Sequence, residues 1–338
     1  MSKKWLLRNQ NYEAWLVRPI FHVRYVPILK KNKSYIAREM MFGMRDEFLY
    51  FQCDSCNCLQ IAEFPKDISK YYAFGNYYSF KEAGLRKYQG IRGYFFRKKL
   101  ISSVLQNSIS QTIIKFSFPD KNTEYLSKVV KDFDTRILDV GCGNGHKFLY
   151  PLYESGFRNI SGCDPFIEAN ITYENGLTIF RNELSEISGE RDVICFNHSF
   201  EHVHNPLETL QKTNELLSDG GYCIIRIPTS SSYAWKHYGV NWFQLDAPRH
   251  YFLHSIESIN FLADQTGFEL EDYVYDSTHH QFTISERYKQ DKIISERIYK
   301  SVWGKLFNVF RKMNFSLKAR KLNSEMNGDQ AIFYLRKK

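Results

Sequence analysis

The run Ile137-Leu138-Asp139-Val140-Gly141-Cys142-Gly143-Asn144-Gly145 constrains the fold more than any other part of the chain. A short apolar strand enters three glycines spaced two apart, and the chain beyond them reads as a helix. Glycine lets the backbone turn through left-handed conformations and approach a ligand closely, and a helix start offers free N–H groups. Nucleotide-type cofactors, dinucleotides and S-adenosylmethionine among them, sit on such strand–turn–helix units. A dinucleotide turn reads Gly-x-Gly-x-x-Gly. Here His146 stands where its third glycine would be. Asp139 adds a carboxylate just ahead of the turn, which repels a pyrophosphate and attracts the ammonium of a methionine moiety.

The pattern around this run repeats as strand, helix, strand. Strands are predicted at Ile160–Cys163, Leu177–Phe180, Asp192–Asn197, Gly221–Ile227, Glu269–Tyr275 and Ala331–Leu335. One helix is expected from an Asn205 N-cap, with Pro206 at its first position and Glu208 closing a capping box. Leu207, Leu210 and Leu217 would line its face, and Gly220-Gly221 would end it. A second is expected from Ser255 to about Gln265, closed by Gly267. Strands alternating with helices imply βαβ units. The fold class is therefore α/β, a doubly wound, Rossmann-like, mostly parallel seven-stranded sheet.

At 338 residues the chain is long for one domain of ~100–200 residues. The expected division is an N-terminal lobe at 1–120 and a catalytic domain at 121–338, with 276–329 a basic, partly helical insertion before the last strand. Apolar content of 43% and charged content of 25% exclude a disordered chain. The net charge of +9 is uneven: residues 1–40 carry 9 Lys/Arg and 2 Asp/Glu, residues 285–338 carry 14 and 5, and the remainder is net −7. Basic ends suit an anionic membrane surface or a phosphorylated substrate. No segment reaches the ~18–20 apolar residues of a membrane span, and Arg8 and Glu13 interrupt the apolar runs at the start. Seven cysteines without a signal segment suit a reducing compartment. The expectation is a cytoplasmic protein, peripheral at the inner membrane face.

With its Ile137–Gly145 run, Asp164 at the end of the second strand, Asn197 to Val203 after the fourth, and Gly220-Gly221 before the fifth, the chain resembles the class I S-adenosylmethionine-dependent methyltransferases over roughly 120–275. The resemblance implies that the last strand, Ala331–Leu335, runs antiparallel, and that S-adenosyl-L-methionine is the cofactor. Asp139, Gly141, Cys142, Gly143, Gly145 and Asn197 would hold it, with Asp164 on the ribose hydroxyls and Glu183 on the adenine amine. Within the family, the long loop from Trp235 to His254 is similar to a branch acting on sugars in bacterial glycan and deoxysugar pathways. That branch often has Glu-His where this chain has Arg249-His250. His250 is the expected general base, with His198 and His202 beside it. Trp242, Asp246, Arg249 and Tyr78 are expected substrate contacts, Arg249 holding a phosphate or carboxylate of the acceptor.

Cys53, Cys56 and Cys58 look like half a zinc ribbon, but zinc needs four ligands. No cysteine precedes them, so a degenerate module with free thiols and no metal is expected. The aromatic stretch from Tyr71 to Phe80 matches the same branch and either stacks on sugar faces or packs the lobe. Val302, Trp303, Leu306, Phe307, Phe310 and Met313 fall on one helical face flanked by basic residues, which suits either packing on the domain or an interfacial helix. The expected reaction is transfer of a methyl group to a sugar or glycan-pathway intermediate, at oxygen, on a small-molecule or lipid-linked acceptor. The alternatives are a quinone or lipid precursor as acceptor, a catalytically silent binding protein, and a nicotinamide oxidoreductase. No nucleic-acid partner is expected, since the Arg86–Lys99 stretch carries no RNA-binding motif.

Overall fold

The computed structural model describes residues 32–72, 90–105, 120, 122–294 and 302–338. Twelve strands form two sheets. β1 (Lys33–Arg38), β2 (Glu47–Gln52) and β3 (Leu59–Ile61) come first, then β4 (Ile137–Val140), β5 (Ile160–Cys163), β6 (Ile171–Thr172), β7 (Thr178–Phe180) and β8 (Arg191–Asn197). β9 (Leu217–Pro228), β10 (Phe252–Leu253), β11 (Phe268–Tyr275) and β12 (Gln330–Lys337) complete the set. The large sheet has the order β11-β12-β9-β8-β4-β5-β7-β6. β4 lies parallel between β5 and β8, and β12 runs antiparallel between β11 and β9.

Successive residues of the central strands enter different cores. Ile137, Val193 and Cys195 pack on one side, with Leu100, Val104, Leu149 and Leu152. Leu138, Ile194 and Phe196 pack on the other, with Leu210, Ile259 and Leu262. A parallel sheet is buried on both faces, so its strands read as unbroken apolar runs. The two sequence-predicted helices are Pro206–Leu216, capped by Asn205, and Ile256–Gln265, capped by Ser255.

The sheet departs from expectation in two places. It has eight strands, because Ile171–Thr172 turns back to pair with Thr178 and Ile179 through a bend at Gly176 (φ +96°). A two-residue strand is too short to leave an alternation in the sequence. The fifth parallel strand also starts earlier. Leu217 leaves the helix and pairs with Arg191, and the next partners are Val193 and Tyr222. The intervening β9 residues bulge around Gly220 (φ +71°), so the glycines lie inside the strand rather than ending the helix.

The small sheet has the order β1-β2-β3-β10. Its last strand comes from the long loop after β9, so the N-terminal lobe holds that loop in place. The Tyr50 hydroxyl donates to the His250 carbonyl at 2.9 Å, and Ser230 Oγ donates to the Asn57 carbonyl at 2.8 Å. Helix Gly90–Val104 packs through Leu100 and Val104 on the large sheet, ahead of the 120/121 boundary.

The 276–329 region holds two short helices and a long one, Val302–Ser324, before β12. Ala319 and Leu322 of the long helix are buried, while Phe307, Phe310, Met313 and Leu317 are exposed. Among the described residues no helix is long and apolar enough to cross a membrane. Tyr78 and the stretch 73–89 lie outside the described residues.

Candidate functional site

The glycine turn carries three positive φ angles, +71° at Gly141, +57° at Gly143 and +70° at Gly145. Side chains rarely adopt that region, so the sequence can turn here only with glycine. The turn docks on β5: Gly141 N donates to the Cys163 carbonyl at 2.8 Å. A Cβ on Gly162 would lie 2.4 Å from Cys142 Sγ, so Cys142 needs glycine beneath it.

Two carboxylates face this turn. Asp164 Oδ2 accepts from Gly143 N and Oδ1 from Phe166 N, both at 2.8 Å. Asp139 is almost fully buried and accepts from Asn197 Nδ2 at 3.0 Å, while Asn197 Oδ1 accepts from the Tyr125 hydroxyl at 2.6 Å. Burial pushes the Asp139 carboxyl up to about 8, the Asn197 hydrogen bond opposes this, and the nearby Asp164 charge adds to it. Burial likewise raises Asp164. Two desolvated carboxyls beside a glycine turn suit a ligand carrying a cation and hydroxyls. Glu183 is exposed, and its N–H donates to Glu186 Oε2 at 2.8 Å in the short helix that follows.

β8 continues from Asn197 into a second group of polar side chains. His198 adopts φ +54°, an unfavourable conformation for a residue with a Cβ. Ser199 Oγ donates to the Val140 carbonyl at 2.5 Å and thereby ties this segment to the glycine turn. Glu201 is fully buried, yet neither of its carboxylate oxygens accepts a hydrogen bond. Its Oε1 lies 3.6 Å from His198 Nδ1 and 3.9 Å from His250 Nε2. His202 Nδ1 lies 2.8 Å from the Arg249 carbonyl and His250 Nδ1 2.7 Å from the Gln244 carbonyl. A carbonyl only accepts, so in each ring Nδ1 carries the proton and Nε2 the lone pair.

The structure sets four of the predicted site residues, His250, Arg249, Asp246 and Trp242, in other surroundings than expected. His250 is buried, and its Nε2 faces Glu201 and Asp246 rather than open space. Burial, aided by His202, lowers its pKa to about 4 against the opposing charges of Asp246 and Glu201, which makes it a weak base. Arg249 is fully buried and each of its three nitrogens donates inside the chain: to Asp246, to Glu39 and to the Tyr71 carbonyl. It holds the lobe to the loop rather than an acceptor phosphate, and Asp246 is its partner. Trp242 is buried, with Nε1 donating to Asp329 at 3.0 Å, and packs in the core of the small sheet rather than against an acceptor.

Sequence reasoning missed Tyr125, Ser199 and Glu201 as site residues. Glu201 stands three residues after His198 and next to His202, a local signal that was present. Its burial depends on the distant Trp235–His254 loop. Cys53 and Cys56 are half-buried, Cys58 is buried, and none of the three is in a disulfide. The Cys56 thiol beside Cys53 lowers the Cys53 pKa to about 5.

A family model described as a methyltransferase domain matches residues 105–273, half of the 338-residue chain. No curated protein matches. Among solved structures, the chain is similar to a S-adenosylmethionine-dependent methyltransferase from Thermotoga maritima, with 18% identity, 73% of this chain and 94% of that one covered, and a TM-score of 0.40. It is similar to a second such enzyme from Archaeoglobus fulgidus, with 16% identity, 65% and 100% covered, and a TM-score of 0.37. A third is magnesium protoporphyrin IX methyltransferase from Synechocystis with bound S-adenosylmethionine, with 11% identity, 80% and 95% covered, and a TM-score of 0.36.

Proposed function

The chain belongs to the methyltransferase-domain family and takes its methyl group from S-adenosyl-L-methionine, and on that premise we propose that it methylates an oxygen of a sugar or glycan-pathway intermediate, with His198 as the base. The residues around the turn fit this donor. Asp139 is a buried carboxyl with no cation beside it among the described residues, and the ammonium of the methionine moiety would supply one. In this reading Asp164 would take the ribose hydroxyls, Gly141, Cys142, Gly143, Gly145 and Asn197 would frame the donor, and Glu183 would meet the adenine amine. When bound, the donor offers a methyl group already activated by its sulfonium.

The observation that carries the proposal is the position of His198. It follows Asn197, which holds Asp139, and its side chain is 34% exposed while its carboxylate partner Glu201 is 0% exposed. Glu201 draws Nδ1–H toward itself, which leaves Nε2 with the lone pair. This is the carboxylate–histidine logic of an oriented base. Nε2 would take the proton of the acceptor hydroxyl, while the bound donor would supply the methyl group and, its carbon–sulfur bond broken, leave as S-adenosylhomocysteine. His250 Nε2 lies 3.9 Å from the same Glu201 oxygen, and its ring meets that of His202 edge to face.

The test screens nucleotide sugars and lipid-linked glycans for turnover, then compares the His198→Ala variant. Its kcat is expected to fall by about 10²–10⁴ with unchanged affinity for S-adenosylhomocysteine, the contribution typical of a positioned base. Full turnover in His198→Ala removes the base assignment. Turnover confined to quinone or lipid precursors removes the sugar assignment.

A further inference from the structure

We propose that Glu201, His202 and His250 form a binding site for one divalent transition-metal ion, zinc foremost. One oxygen of Glu201 and one ring nitrogen of each histidine lie within 4.8 Å of one another. Around a tetrahedral ion with bonds of about 2.0–2.2 Å, ligand atoms stand ~3.3 Å apart. The observed 3.9 Å between His250 Nε2 and Glu201 Oε1 therefore needs only a small inward movement.

The hydrogen bonds around the three residues point the same way. Each Nδ1–H donates to a backbone carbonyl, of Arg249 for His202 and of Gln244 for His250. That is how metal-binding histidines are commonly held, with one nitrogen anchored and the other left as a ligand. The rings meet edge to face with centroids 4.8 Å apart. Glu201 is fully buried and neither of its oxygens accepts a hydrogen bond. A buried carboxylate without donors costs several kcal/mol, and a cation between it and the two lone pairs removes that cost. The oxygen nearest His250, Oε1, is also the one 3.6 Å from His198 Nδ1, so a bound ion would share this carboxylate with His198.

The ligand set selects the ion. Two imidazoles and one carboxylate suit zinc or iron(II), whereas magnesium takes oxygen ligands in an octahedron and keeps its water. Three protein ligands leave an open coordination position, as in catalytic rather than structural zinc sites. The site needs no particular methyl acceptor, so it stands or falls apart from the oxygen-methylation reading.

The test is direct. The full chain is stripped with a chelator, dialysed, and titrated with Zn²⁺ against a chromophoric competitor, with Co²⁺ followed by visible absorption. About one equivalent per chain is expected, undisturbed by excess Mg²⁺. Affinity should fall at least about tenfold in Glu201→Gln, His250→Gln and the half-buried His202→Asn, with S-adenosylhomocysteine binding retained as the check on folding. No uptake by the native chain overturns the proposal. So does uptake that survives in all three variants, or that is lost in Cys53→Ser, which would place the ion at the cysteines.

Discussion

Replacing Arg249 with methionine is expected to cost the protein about 3–5 kcal/mol of stability, the usual penalty for breaking a buried ion pair from one side. Arg249 and Glu39 are both fully buried and meet at 3.0 Å, and Asp246 closes the triad at 2.5 Å. Removing the cation strands two carboxylates. Glu39 also accepts from the backbone N–H groups of Met41, Phe42 and Met44, so it has no freedom to swing out to water. The loss would detach the lobe from the loop that carries His250. Denaturant unfolding measures it, and Glu39→Gln in the Arg249→Met background should recover part of it. A loss below about 1 kcal/mol, with a raised KM for the acceptor, would instead place the guanidinium at the substrate.

Gly141→Ala is the second large effect. At φ +71° a side chain costs about 1–2 kcal/mol on backbone grounds. A Cβ there would also lie 2.5 Å from Ser199 Cβ, and overpacking of that kind adds about 1–3 kcal/mol. The strand end that carries Asn197, His198 and Glu201 must then move away from the turn. Affinity for S-adenosylhomocysteine should fall more than about tenfold, a loss of ~1.4 kcal/mol or more. Gly239→Ala is the control. It has φ +52° and nothing within 4 Å of its Cβ, so it bears the backbone cost alone. Equal effects of the two substitutions on stability, with cofactor binding intact in both, would show that the Gly141–Ser199 contact does not matter.

These two residues mark what the sequence could and could not reveal. Gly141 was legible because its constraint is local: a strand, a turn and a helix start follow one another along the chain. The same holds for the caps at Asn205 and Ser255, whose side chains accept from N–H groups three positions on. The role of Arg249 was not legible. One of its two carboxylate partners, Glu39, lies 210 positions away, directly after the first strand of a sheet whose last strand is borrowed from the same loop. Before that partner is known, an arginine beside a histidine in an aromatic loop reads as an acceptor contact. His250 was misread for the same reason, since its burial comes from elements folded over it. The eighth strand escaped notice because two residues cannot carry a period.

Calorimetric titration with S-adenosylhomocysteine, across a range of pH, tests the central claim most directly. Asp139 in the ligand-free protein has its pKa raised to about 8, so it is largely protonated at neutral pH. Binding a cationic amine beside it favours the ionised form and expels the proton. Affinity should therefore rise with pH up to about 8 and level off above it, by at most about tenfold per unit. The heat at neutral pH should depend on the buffer that takes up the proton. Micromolar binding with this pH dependence, both lost in Asp139→Asn, is the predicted result. Absence of binding, or binding in Asp139→Asn that equals the native chain and ignores pH, would contradict a cofactor site built on Asp139 and the glycine turn.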